Sequence, residues 1–311
     1  MIFSEHNWYN WQYGDGPVNG RFVPNKSFKT NYGKCLSEIG TYKEELIKVA
    51  QSTINTYPNK KLTLLFSGGA DSEIVLRSYL TIGYPITVII YRYENDFNLY
   101  DVSYAVTICN MLGVEYRIID FNLTKFYEND AERYSELSEI DRPAALPYLN
   151  FLEITDGIPI LGQGDPWWFR YQGIDYSIKG SWGYGDMELF TGTSKFLLAI
   201  NKPGIPTWFK WRPGLVWAYT NLKWFNVLTS DGIIGKSGVS STKLQGYKEV
   251  FPDMINRTKA TGFEKITSLV SEFEQFLSKK NNGLLYRQEC IRTYDELQTD
   301  ILGFDKFNNQ T

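Results

Sequence analysis

The chain has 311 residues, 43% hydrophobic and 22% charged, enough to bury a substantial core in one large α/β domain or two smaller ones. Lys and Arg number 32 against 35 Asp and Glu, a net charge of −3, so no global basic field draws the molecule to nucleic acid or anionic lipid. One histidine, His6, excludes His-based triads and multi-His metal sites, and the scattered Cys35, Cys109 and Cys290 form no C-x-x-C for a zinc ribbon or dithiol centre.

Residues 1 to about 40 are rich in Gly, Asn, Tyr and Trp, and Gly14-Asp15-Gly16-Pro17 and Asn19-Gly20 mark turns in a short β-rich or irregular lead-in. From Thr41 to Thr56 the spacing of Tyr42, Leu46, Ile47, Val49, Ala50 and Ile54 predicts an amphipathic helix, ended before Pro58. Leu62 to Phe66 is a continuous apolar run, as in strands buried on both faces, and Ser67-Gly68-Gly69 leads from it into a helical stretch through Leu80. Ile86 to Tyr91 predicts a second strand, Asp101 to Leu112 a helix closed by Gly113, and Tyr116 to Phe121 a third strand. A helical stretch interrupted by Pro143 and Pro147 precedes a fourth strand, Ile158 to Leu161, which ends at Gly162-Gln163-Gly164-Asp165. The alternation predicts an α/β fold with a doubly wound parallel sheet.

Beyond Pro166 the texture changes to Trp, Gly and Pro, with helices expected at Lys195 to Ala199 and Leu215 to Leu228 and a Gly-rich loop from Gly232 to Ser241. Ile266, Leu269, Val270, Phe273, Phe276 and Leu277 then give the tail amphipathic spacing, so the C-terminal part reads as helical. The expected division is a lead-in and helix over 1–58, an α/β domain over 59–235, and a loop and helical part over 236–311.

The strongest chemical signal is Phe66-Ser67-Gly68-Gly69-Ala70-Asp71-Ser72, set between a buried strand and a helix. Two glycines allow close backbone approach, successive N–H groups make an anion-binding concavity, and the helix N-terminus adds its positive end. Ser67 and Ser72 add hydroxyl donors. Asp71 would repel a bare phosphate and makes sense as a ligand to Mg²⁺ on phosphate oxygens. The alternative is a tight turn in which Asp71 and Ser72 only cap the helix.

The pattern S-G-G-x-D-S after an apolar strand resembles the pyrophosphate-binding loop of the PP-loop ATP pyrophosphatases, and the resemblance extends from Lys61 to Asp165. It implies an adenine nucleotide alpha-hydrolase-like fold, with ATP split between the α and β phosphates, a substrate oxygen adenylated, and AMP displaced by a nucleophile. Phe251 to Glu264, with Arg257-Thr258-Lys259 followed by Gly262-Phe263, resembles the late segment of the asparagine synthetase family and makes Lys259 the match to its active-site lysine. Gly162-Gln163-Gly164-Asp165 resembles that family's S-G-E-G-x-D-E, with two departures: Gln163 stands where a Glu would, and Asp165 comes one residue early. A neutral amide cannot take a proton as a carboxylate does. The cofactors implied are ATP and Mg²⁺, with Phe66, Tyr91 and Gly162 at the adenosine, Ser67 to Ser72 on the pyrophosphate, Asp71 and Asp165 on the metal, and Lys259 and Gln163 as catalytic positions.

No N-terminal Cys of a glutaminase stands ahead of the loop, so the nitrogen is expected as free ammonia, an amine, or ammonia from a partner. The substrate would be a small carboxylate, with neither membrane nor nucleic acid as a partner and a cytoplasmic location, since Met1 to Asn7 lacks a basic region followed by an apolar run. Other readings are a PP-loop enzyme modifying a base or transferring sulfur, and a nucleotide-binding module without turnover. Gly232 to Ser237 echoes a Walker A loop but has Ser230 in place of its first Gly, and reads as a flexible loop. Trp167 and Trp168 read as packing rather than as a stacking platform, and Cys290 as a small buried hydrophobe.

Overall fold

A computed structural model describes residues 9–170, 182–225, 239–257, 262–280 and 288–303. Strands β1 (Tyr9–Tyr13) and β2 (Phe28–Tyr32) pair antiparallel and form the β-rich lead-in. Helix α1 (Tyr42–Thr56) opens with a capping box, the Thr41 hydroxyl accepting from the Glu44 N–H while the Glu44 carboxylate accepts from the Thr41 N–H. The nucleotide-type half follows as β3 (Leu62–Leu65), α2 (Ala70–Thr81), β4 (Thr87–Tyr93), α3 (Leu99–Leu112), β5 (Tyr116–Phe121), α4 (Leu123–Asn129), α5 (Ala131–Ser138), α6 (Pro147–Ile154) and β6 (Ile158–Ile160). Gly113 closes α3 in the left-handed conformation, φ +65°.

The four strands form one parallel sheet in the order β5-β4-β3-β6. Successive residues of the apolar runs feed opposite faces. Leu62, Leu64, Val88 and Ile90 join one core with α1, α2 and α3, whereas Leu65, Ile89 and Tyr91 join a second with α4, α5 and α6. The sheet is therefore covered on both sides, a doubly wound α/β arrangement. From β3 the chain steps outward to β4 and β5, then returns to place β6 on the other flank of β3. The direction reverses between β3 and β6, where open α/β sheets hold their ligands, beyond the carboxyl ends of the strands.

The remainder comprises β7 (Trp168–Arg170), β8 (Trp182–Met187), α7 (Glu188–Ala199), α8 (Pro213–Ala218), α9 (Val239–Val250), α10 (Thr267–Lys280), β9 (Glu289–Thr293) and α11 (Tyr294–Leu302). The expected helical C-terminal part is present in α9, α10 and α11, and one strand is added to it. Strand β9 pairs antiparallel with β8 in a three-stranded sheet, β7-β8-β9, through Cys290 opposite Asp186 and Arg292 opposite Tyr184. Its burial is only partial along its length, which left no apolar alternation to read. Cys290 is accordingly half-buried rather than buried. The helix expected from Leu215 to Leu228 is interrupted: Pro213–Ala218 runs into a 3-10 turn, Tyr219–Asn221, the chain is helical again at 223–225, and 226–228 lie outside the described residues. Trp168 packs against Tyr184, Phe225 and Tyr294, and Trp167 lies over Gly185, where any Cβ would come within 2.2 Å of its ring. Both are packing residues. The Walker-like Gly232 to Ser237 and His6 lie outside the described residues.

The turn after β4 is held by Glu94, whose carboxylate accepts from the N–H groups of Leu123 and Thr124, at 2.5 and 2.8 Å, at the start of α4. Partial burial pushes its pKa up, but the hydrogen bonds from Thr124 and Leu123 outweigh it and hold the carboxyl below its ordinary 4.5. A carboxyl with a depressed folded pKa contributes stability that is present above its unfolded value and lost as pH falls through the folded one. Glu94→Gln should cost about 1 kcal/mol at neutral pH, the cost fading as pH falls through that value, as measured by denaturant unfolding across a pH series.

Candidate functional site

The loop after β3 is shaped by its glycines. Gly68 adopts φ +73°, and a Cβ there would lie 2.5 Å from the Asp101 carbonyl and 2.8 Å from the Ala105 nitrogen, so α3 crosses directly behind the loop. Gly69 is the N-cap of α2 and donates its N–H to Ser67 Oγ at 3.3 Å. Ser67 Oγ and Ser72 Oγ stand 3.3 Å apart, and Ser72 donates to the Gly69 carbonyl at 3.0 Å. From the neighbouring strand Gly162 presses on the first turn of α2, where a Cβ would meet Ser72 Cα at 3.1 Å. The loops after β3 and β6 are therefore in contact at the switch point.

At that junction Asp71 and Asp165 converge on one cation, the ammonium of Lys243 from α9. Lys243 Nζ donates to Asp165 Oδ2 at 2.6 Å and lies 3.1 Å from both Asp71 oxygens. The Tyr247 hydroxyl, one turn further along α9, donates to Asp71 Oδ1 at 2.8 Å. The side chains of Lys243, Asp165 and Asp71 retain 15%, 20% and 29% exposure, so the cluster opens to solvent. Burial pulls the Lys243 pKa down, but the Asp165 and Asp71 carboxylates outweigh it and hold the ammonium above the usual lysine value. Burial, with the Asp71 charge, raises the Asp165 carboxyl above the ordinary Asp value despite Lys243.

This donor set suits Mg²⁺ held with phosphate. Two carboxylates from adjacent strand ends already enclose a cation, and Mg²⁺ characteristically takes one or two carboxylates and fills its shell with phosphate oxygens and water. Among the described residues no group of three or more His, Cys, Asp or Glu is placed to hold a metal without such help.

Beside the loop runs a cleft lined by Phe66, Ser67, Tyr91, Asn98, Asp101 and Phe263, among others. The Tyr91 ring stacks on Phe121 at 5.0 Å and donates its hydroxyl to Asn150, while its carbonyl accepts from Asn98 Nδ2 at 2.9 Å. The Phe66 N–H is spent on the Ile89 carbonyl. What these two residues offer a ligand is the shape of the cleft wall.

The C-terminal segment reaches the same place. Arg257 donates to the Gly68 carbonyl at 2.8 Å and pairs with Glu73, which is fully buried on α2. Glu73 also takes Arg77 Nε at 2.6 Å, and Arg77 makes a two-pronged pair with Asp253 at 2.9 and 3.0 Å. Gly262, φ +86°, lies so close to the Phe97–Asn98 backbone that a Cβ would meet it at about 3 Å, and Phe263 enters the cleft wall.

The structure thus brings Ser67, Gly68, Gly69, Asp71, Ser72, Gly162 and Asp165 together and puts Phe66 and Tyr91 on the adjoining cleft. Gln163 sits at the same strand end with its carbonyl accepting from the Phe209 N–H at 3.3 Å. Lys259 lies outside the described residues, between Arg257 and Gly262. Sequence reasoning gave no role to Lys243, Tyr247 or Glu73. The available signal was the i, i+4 spacing of Lys243 and Tyr247, which puts both on one helix face.

Residues 61–142 match the family model described as queuosine biosynthesis protein QueC, well under half of the chain. With the loop geometry, the match marks this segment as a PP-loop of the ATP pyrophosphatase type. No curated protein matches the sequence. Among solved structures, the chain is similar to an NMN synthetase from Francisella tularensis (15% identity, covering 78% of this chain and 95% of that one, TM-score 0.33). It is similar also to a predicted subunit of a tRNA methyltransferase from Methanocaldococcus jannaschii (13%, 76% and 94%, TM-score 0.32). A third likeness is to the NH3-dependent NAD synthetase from Campylobacter jejuni (14%, 78% and 94%, TM-score 0.29). At such scores these likenesses carry no argument.

Glu73→Ala leaves two arginines facing a buried void and should cost about 3–5 kcal/mol. Arg257→Ala, which keeps the Glu73–Arg77 pair, should cost less, about 1.5–3 kcal/mol. Denaturant unfolding of the two variants checks the order.

Proposed function

We propose that the protein is an Mg-ATP-dependent ligase that adenylates a small carboxylate, releases pyrophosphate and then AMP, and passes the acyl group to ammonia or an amine, in the manner of the asparagine synthetases. The observation that carries this reading is the convergence of Asp71 and Asp165 on one cation beside the phosphate loop. Gly68 and Gly69 let the pyrophosphate approach the α2 N-terminus, and Ser67 and Ser72 add hydroxyl donors. The cleft beside Phe66 and Tyr91 takes the nucleoside. Asp71 and Asp165 hold the Mg²⁺, which when bound neutralises phosphate charge and orients the α-phosphate. Lys259, flanked by a residue anchored to Gly68 and one packed on the cleft rim, neutralises charge that builds as the phosphates separate. Gln163 can orient the acceptor by hydrogen bonding but cannot take its proton, so the attacking nitrogen must arrive as the free amine or lose its proton to water or phosphate. The nitrogen donor on this reading is free ammonia, an amine or ammonia from a partner, and the setting cytoplasmic. No helix among the described residues is long and apolar enough to cross a membrane.

The QueC match supports a second reading, a PP-loop enzyme that modifies a base. One assay separates the two. Pyrophosphate release from Mg-ATP is measured with a panel of carboxylates, aspartate and heterocyclic acids included, each with and without ammonium. Release with one aliphatic acid, lost at least about a hundredfold in Asp71→Ala, supports the ligase as stated. Release only with a heterocyclic acid moves the protein to the base-modifying class. Silence with every acid, while ATP still binds, leaves a binding module and sinks both enzyme readings.

A further inference from the structure

Lys243 occupies a position that the proposed chemistry needs for something else. Its ammonium bonds to Asp165 and Asp71, the two carboxylates assigned above to Mg²⁺, and a metal ion and an ammonium cannot share those oxygens without strong mutual repulsion. Helix α9 is not free to carry the lysine away, because Leu244 and Tyr247 are buried in the core against the α1 side of the sheet. The side chain can move independently, since four rotatable carbons link the ammonium to the helix. Asp71 lies on the first turn of α2, two residues after Gly69, so an ammonium leaving Asp71 has the phosphate position at the helix N-terminus as its next anionic neighbour. Tyr247 keeps its 2.8 Å bond to Asp71 and is itself stacked on Tyr42 with ring planes 2° apart, which holds the carboxylate in place through the change.

On the ligase reading, we propose that Lys243 is a second catalytic lysine that exchanges partners. Without nucleotide it neutralises Asp71 and Asp165 and keeps a divalent ion out. When Mg-nucleotide enters, the metal takes the carboxylates and the Lys243 ammonium moves onto the pyrophosphate oxygens. The exchange makes metal and nucleotide binding mutually dependent and guards the paired carboxylates against adventitious cations.

The consequence is a pair of effects of opposite sign. Mn²⁺ binding without nucleotide, followed by electron paramagnetic resonance, should be at least about tenfold tighter in Lys243→Gln than in the unaltered protein. Binding of inorganic pyrophosphate in the presence of saturating Mg²⁺, followed by calorimetry, should be at least about tenfold weaker in the same variant. Tighter binding of both would make Lys243 a counter-cation only, and weaker binding of both would make it structural; either overturns the exchange. Should Lys243→Gln not fold, the unaltered protein still decides, because the exchange requires pyrophosphate to tighten Mn²⁺ binding and the absence of that coupling rejects it. Failure of the ligase reading would look different: the opposite-sign pair would persist while no carboxylate elicits pyrophosphate release.

Discussion

Glu73 is the point on which the site hangs. It sits on the first turn of α2 with no exposure, and a carboxylate so buried is tolerable only when charged donors surround it. One donor, Arg77, comes from the same helix four residues on; the other, Arg257, comes from a segment far along the chain and carries a second hydrogen bond to the Gly68 carbonyl. A single buried charge thereby ties the phosphate loop, its helix and the C-terminal segment into one unit. Release of Arg257 would leave both the carboxylate and a loop carbonyl short of a donor, so Arg257 is held to the loop by an electrostatic requirement rather than by apolar contact alone.

The rest of the site follows from sheet topology. The reversal between β3 and β6 puts two strand ends side by side, and each contributes one aspartate. Like charges at that spacing are costly in a partly shielded setting, as the raised Asp165 carboxyl reflects. Lys243 offsets the repulsion. The site is thus assembled by four stretches of chain: the loop after β3, the loop after β6, helix α9, and the turn-and-coil stretch that carries Asp253 and Arg257.

Much of this was readable from local pattern. The apolar runs at Leu62 and Ile86, the Gly-Gly turn, the left-handed closure at Gly113 and the breaks at Pro143 and Pro147 each rest on a short stretch whose own chemistry dictates its conformation. Asp71 and Asp165 were legible because they follow strand ends. Strand β9 was not, because its half-exposed residues lack alternation and its pairing with β8 depends on a partner about a hundred residues away. Lys243 was equally hidden. An isolated lysine on a polar helix reads as solvated, and only the fold brings it beside two aspartates.

By itself the sequence determined the alternating α/β order, the phosphate-type loop and the absence of histidine chemistry, because these depend on residue type and near-neighbour spacing. The tertiary structure alone decided which charges meet. Coulomb interactions depend on distance in space, and the contacts of Lys243 with Asp71 and Asp165, and of Arg257 with Glu73, join residues that lie 172, 78 and 184 positions apart in the chain.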